Sequence, residues 1–225
     1  LWDVCGCLPS TGHPLSVRAA SAIRSGACIL ADDERIAGGD LPRSVFWDRR
    51  YAAEGHVWGD APSRTVEQAL GAFRQHGVED VLVAGSGYGR NSRPFSSAGM
   101  SVTGVEISAE ACQMAQQFDP NLTVCHGSVL DLSVLSRQFD GIYAFNLLHL
   151  FMQDERRRLL RQFWTKLREG GLLYCSVFSE QEPGYGSGFQ SEPNTFESRP
   201  GRPTHYFDHT DLMQHLEGWR ILETG

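Results

Sequence analysis

Three glycines at alternate positions, Gly85, Gly87 and Gly89, follow directly on the apolar run Val81-Leu82-Val83-Ala84. Glycine at such a turn allows positive φ and lets a ligand lie against bare backbone. Glu106 closes the next apolar run about twenty residues on, where a carboxylate takes the ribose hydroxyls of a nucleoside in a βαβ unit. Together these residues predict a nucleotide-type crevice at one edge of a parallel sheet. The alternate spacing differs from the G-x-G-x-x-G dinucleotide fingerprint and so disfavours a nicotinamide oxidoreductase.

The G-x-G-x-G turn resembles motif I of the class I S-adenosylmethionine-dependent methyltransferases. The resemblance continues in Glu106-Ile107-Ser108, in Gly127-Ser128-Val129, in Phe139 to Tyr143, and in Leu167 to Leu173, which is similar to the family's Leu-x-x-Gly-Gly-x-Leu entry to its fifth strand. It implies a doubly wound, mainly parallel α/β sheet with helices on both faces, a Rossmann-like methyltransferase fold, and S-adenosyl-L-methionine as cofactor. The segment Trp47-Asp48 to Tyr51, with Trp58-Gly59, is most similar to the small-molecule group of the tellurite-resistance and thiopurine type. That implies a small-molecule acceptor, a thiol or a chalcogen oxyanion.

By the same resemblance Gly85, Ser86, Gly87 and Gly89 pass beneath the cofactor, Glu106 takes its ribose, and Ile107 packs on its adenine. Ser128 and Val129 meet the adenine edge, Asn146 lines the floor, and Tyr51 and Trp58 help to close the site. His149, after the fourth strand of the resemblance, and His205, at the end of a long connection, are the candidate catalytic residues, since imidazole accepts a proton near neutral pH. No metal is expected. Two positions depart from the family: Val83 stands where an acidic residue is usual and Ser128 where Asp is common. They keep open a non-catalytic, cofactor-binding or regulatory member of the fold.

The elements that position these residues follow from local signals. Ser63 or Thr65 predicts a helix start and Gly77 its stop; Arg90 and Asn91 open a helix with Pro94 in its first turn; Ser108 caps a helix over 109–118. Strands are expected over 122–126, 140–146 and 172–178, and a helix over 154–168 with Leu159, Leu160, Phe163 and Leu167 on one face. Arg156, Arg157, Arg158 and Arg161 read as a solvated face. The stretch 179–207, rich in Gly, Pro and Ser and longer than the roughly 12–15 residues of a passive connection, reads as a mobile lid over the ligand edge. A helix over 208–216 and a sixth strand over 219–223 follow.

At 225 residues the chain suits one α/β core, and its formal charge of −7 argues against a general nucleic-acid or membrane-surface partner. Without a membrane-length apolar run or a signal-peptide pattern it reads as cytoplasmic, with its six cysteines reduced. The amino end lacks Met and reads as trimmed or processed. Residues 1–40, with a short strand, a helix over 16–24 and a strand over 27–31, form an extension of unassigned role. Residues 37–42 are a linker. Residues 41–225 form the methyltransferase-like domain, without the antiparallel strand that usually closes the family's sheet.

Overall fold

Val81 and Val83 pack into one apolar layer and Leu82 and Ala84 into another, and all four are buried. A strand buried on both faces has this pattern, and it sits at the centre of a sheet covered by helices on each side. The computed structural model describes residues 1–9, 42–199 and 201–225. The helix and strand expected over 16–31, and nearly all of the expected linker, lie outside them.

In chain order the elements are β1 (Trp2–Cys7), α1 (Arg43–Glu54), α2 (Arg64–Gln75), β2 (Asp80–Ala84), α3 (Arg93–Ser97), β3 (Ser101–Glu106), α4 (Ala109–Phe118), β4 (Leu122–His126) and β5 (Phe139–Phe145). A 3₁₀ turn (Leu148–Leu150), α5 (Gln153–Lys166), β6 (Leu167–Val177), β7 (Phe189–Glu192), β8 (Thr195–Glu197), β9 (Thr204–His205), α6 (His209–His215) and β10 (Arg220–Thr224) follow.

Seven strands form one sheet in the order β10-β1-β6-β5-β2-β3-β4. From β6 to β4 every pairing is parallel. Val66, Ala69 and Phe73 of α2, Phe95 of α3 and Ala115 of α4 pack on one face; Leu159, Leu160 and Phe163 of α5 and Leu212 of α6 pack on the other. This is the expected doubly wound fold. Its strand order reverses between β2 and β5, so the crevice for a ligand opens at their carboxyl ends.

Three expectations need correction. The closing antiparallel strand is present, and β1 supplies it: Trp2–Cys7 lies between β6 and β10 and runs antiparallel to both, with Cys5 opposite Tyr174. Residues 2–7 are therefore part of the domain's own sheet. A local pattern cannot reveal this, because the pairing joins opposite ends of the chain.

The stretch 179–207 is also not a free lid. It carries the three-stranded sheet β7-β8-β9, with Thr195, His205, Tyr206 and Phe207 buried. Gly188 (φ 99°) lies so close to the Glu197 carbonyl that a Cβ there would fall 2.1 Å from it. Its glycine serves packing.

Finally, α5 is not a uniformly solvated face. Arg156 is 2% exposed and donates to the Phe151 carbonyl (2.6 Å) and to His215 Nε2 (3.1 Å), while Arg157, Arg158 and Arg161 stay exposed. A smaller difference concerns α3, which starts at Arg93, three residues later than expected, after the amides of Ser92 and Arg93 both bond the Gly89 carbonyl.

Candidate functional site

The crevice at the carboxyl ends of β2 and β5 opens into a cavity of about 470 Å³. This lies within the roughly 300–1,000 Å³ typical of small-molecule sites. Its wall brings together Tyr51, Trp58, Gly85, Ser86, Gly87, Glu106, Ile107, Ser128, Val129, Asn146 and His149. Eleven of the thirteen residues singled out from the sequence thus meet in one place.

One end is built by contiguous chain. β2 runs into Gly85 and Gly87, at φ 66° and 54°, and the amide of Gly87 donates to Glu106 Oε2 at 2.9 Å. The amide of Ser108 donates to Glu106 Oε1, also at 2.9 Å. Burial pushes the Glu106 carboxyl up from its ordinary range, and the two amides pull against that rise. Each carboxylate oxygen keeps lone-pair capacity for a further donor. Ile107 follows, its carbonyl bonded to His126 Nε2 at 3.0 Å, and Ser128 Oγ accepts from the Leu130 amide at 3.1 Å.

The aromatic segment lies over this end. Tyr51 of α1 is 4% exposed, and its hydroxyl would stand 2.9 Å from a Cβ on Gly87. Nothing bulkier than hydrogen fits there while Tyr51 stays in place. Trp47 and Trp58 flank Tyr51 with ring centres about 6 Å away. Tyr88, from within the glycine turn, donates to the Gly59 carbonyl (2.6 Å), and Arg90 donates to the Trp58 carbonyl (2.9 Å). The loop carrying Trp58 is thereby tied to the glycine turn.

Asp48 fastens the same helix from below. It accepts from Ser108 Oγ at 2.6 Å, while Ser108 Oγ accepts from the Ala111 amide and so caps α4. Sequence reading gave the capping role to Ser108 but no role to Asp48. The Trp-Asp-x-x-Tyr spacing was the signal, because Asp48 and Tyr51 lie on adjacent turns of one helix face.

The other end comes from separate segments. Asn146 leaves β5 with φ 49°, an unusual conformation for a non-glycine residue, and its Oδ1 is buried without a hydrogen-bond partner. His149 stacks on Phe178 at 3.9 Å between ring centres, and its buried Nδ1 also has no partner. Burial, helped by nearby His205, lowers the His149 pKa to about 3. The ring is neutral at physiological pH. Both residues line the cavity, while these two atoms are turned away from solvent.

Two candidates fall outside. His205 bonds Thr195 Oγ1 through Nδ1 (2.8 Å) and Asp211 Oδ2 through Nε2 (2.6 Å), away from the cavity, so both nitrogens are engaged in fastening β8, β9 and α6. Gly89 faces Leu122, Asp119 and Ala115, where it leaves room for α4 and β4. Val83, the departure at the acidic position, is 2% exposed in the apolar layer and is also off the cavity wall. Sequence reading missed Leu147, whose side chain sits 3.0 Å from where a Gly85 Cβ would be, and the arginines Arg50 and Arg202 at the mouth.

Residues 81–171 match the model of a family described as a methyltransferase domain. The glycine/sarcosine N-methyltransferase of Aphanothece halophytica is 28% identical over 136 residues, covering 57% of this chain and 47% of that protein. The chain spans about half the length of the curated relatives it matches. Among solved structures, the CcbJ methyltransferase from Streptomyces caelestis has a TM-score of 0.61 at 19% identity, over 75% of this chain and 84% of its own. The magnesium protoporphyrin IX methyltransferase (ChlM) from Synechocystis PCC 6803 with bound SAH has a TM-score of 0.58 at 16% identity, over 81% and 96%. At these identities the two structures share the fold. Among the described residues no helix is long and apolar enough to cross a membrane.

Proposed function

We propose that this chain is an S-adenosylmethionine-dependent methyltransferase whose acceptor is a small molecule, a thiol or a chalcogen oxyanion. The observation that carries the reading is the pairing, on one cavity wall, of the Gly85–Gly87 turn with the buried carboxylate of Glu106 at the point where the strand order reverses. The match of residues 81–171 to a methyltransferase domain supports it.

The residues present fit the cofactor. The glycine turn leaves bare backbone facing the cavity, Glu106 has free lone pairs for ribose hydroxyls, and Ile107 and Val129 offer apolar surface to a base with Ser128 at its edge. Arg90, Asn91 and Asn146 also line the wall, and Val83 offers it no carboxylate.

When bound, S-adenosylmethionine supplies a methyl group activated by its sulfonium sulfur. Every other contribution belongs to the chain. Tyr51, Trp47 and Trp58 exclude water from one side of the cavity, and Phe178 and Leu147 wall the other. Holding two reactants in line in such a space can supply about 7–11 kcal/mol of the barrier. With its pKa lowered to about 3, His149 stays neutral and is a poor general base, and its ring packed on Phe178 forms part of the cavity wall. A thiolate or chalcogenide nucleophile has no proton to lose, which suits a site without a base of neutral pKa.

Incubation with methyl-labelled S-adenosylmethionine and a panel of selenite, tellurite and small thiols tests this reading. Protein-dependent transfer of label to one acceptor is expected. Cofactor binding without transfer to any member of a broad acceptor panel would instead favour a binding or regulatory role.

A further inference from the structure

The methyltransferase reading leaves the acceptor's chemistry undefined, and the cavity mouth carries information on it. The cavity adjoins an open groove, and the two share Phe46, Arg50, Arg202 and Thr204. Arg49 and Arg199 stand further out along the groove, and Glu54 is its one carboxylate among the described residues. Four guanidinium groups therefore meet one carboxylate, on a chain whose formal charge is −7. Such a local reversal of sign focuses anions on that opening.

The arginines are poorly matched by the protein's own acids. Glu54 lies 3.4 Å from Arg50 and is itself half exposed. Arg202 spreads its guanidinium over the Phe46 ring at 4.2 Å, and Arg50 lies over Trp58 at 5.3 Å, so aromatic faces hold both groups while leaving donor edges open. Burial and the nearness of Arg199 and Arg50 all work against the charge on Arg202. Like charges crowded in this way are relieved by an anion between them. Arg43, by contrast, is closed off by a bidentate pair with Glu155 at 2.8 Å.

We propose that the methyl acceptor carries an anionic group, a carboxylate or comparable oxyanion, held by Arg50 and Arg202 where groove and cavity join, with Arg199 adding charge from further out along the groove and the reacting atom turned inward toward Asn146 and His149. This rests on the methyltransferase reading. The arginines come from α1 and from the β8–β9 connection, two segments that meet only in the folded chain. A planar, forked donor suits a carboxylate in two-point contact, and the guanidinium stacking fixes the fork's orientation before binding.

The test uses protein loaded with S-adenosylhomocysteine and calorimetric titration with sodium succinate, inorganic phosphate and uncharged 1,4-butanediol. Both anions are expected to bind and butanediol is not; Arg199→Gln/Arg202→Gln is expected to weaken succinate by about tenfold or more. The wild-type comparison needs no variant, so a misfolded double mutant leaves the question decidable. Succinate binding no better than butanediol, or equal in wild type and a folded double variant, overturns the proposal. Failure of S-adenosylmethionine and S-adenosylhomocysteine themselves to bind would instead remove the methyltransferase reading.

Discussion

The two ends of the cavity are built in opposite ways. The Glu106 carboxylate is held by neighbouring pieces of chain, Gly85 to Ser108, through hydrogen bonds that span 19 and 2 residues. The end bearing Asn146, His149 and Arg202 needs β5, β6, α1 and the β8–β9 connection to come together. A cofactor that many proteins share can be held by a portable local unit, whereas acceptor recognition is left to segments free to vary around it.

This contrast can be broken from its distant end first. Arg156→Ala removes a buried cation that fastens α5 to Phe151, to His215 of α6 and to Glu192 of β7, the first strand of the small sheet from which the β8–β9 connection emerges. A loss of about 3–5 kcal/mol in denaturant unfolding is expected, as for breaking one side of a buried ionic network. If the two ends are separable, cofactor affinity in the still-folded variant changes far less than acceptor affinity. Equal losses would show that the ends act as one.

The local end should fail through cofactor affinity. Gly87→Ala places a methyl group at φ 54°, 2.9 Å from the Tyr51 hydroxyl, and is expected to cost about 1–3 kcal/mol in S-adenosylmethionine binding. Gly87→Ala/Tyr51→Phe should recover part of it by removing the clashing oxygen. Additive losses in the double variant would mean that the backbone conformation alone is responsible.

A smaller effect concerns pH. The His149 pKa falls from an ordinary 6.5 to about 3 in the folded protein, so the unfolded chain binds the extra proton between these values. Its contribution to stability is fully present above about pH 6.5 and is lost as pH falls toward 3, at about 1.4 kcal/mol per pH unit. Unfolding of His149→Phe should depend less steeply on pH across pH 6.5 to 5. An identical slope would place His149 in contact with water in the folded state.

What was legible in the sequence follows the same division. Ser108, the helix Ala109–Phe118 and the strand Leu122–His126 lie where the local signals put them, because a cap and a periodic face need only near neighbours. A short strand was expected near the amino end, but neither its extent, Trp2–Cys7, nor its place between β6 and β10 was, since register with Tyr174 and Ile221 depends on the folded sheet. In 179–207 the abundance of Gly and Pro masked two short strands joined through Asn194 at φ 55°. His205 had the chemistry of a base and lacked the position, whereas Arg202 had the position without a motif to mark it.

In the proposed complex Glu106 and the glycine turn hold the ribose and backbone-facing side of S-adenosylmethionine. Calorimetric titration of wild type and Glu106→Ala with S-adenosylmethionine, S-adenosylhomocysteine and NADH tests it most directly. The wild type is expected to bind the first two, Glu106→Ala to lose about 1.5–3 kcal/mol as a buried charge-assisted contact disappears, and NADH to show no comparable affinity. Full-strength binding by Glu106→Ala, or a preference for NADH, would contradict it.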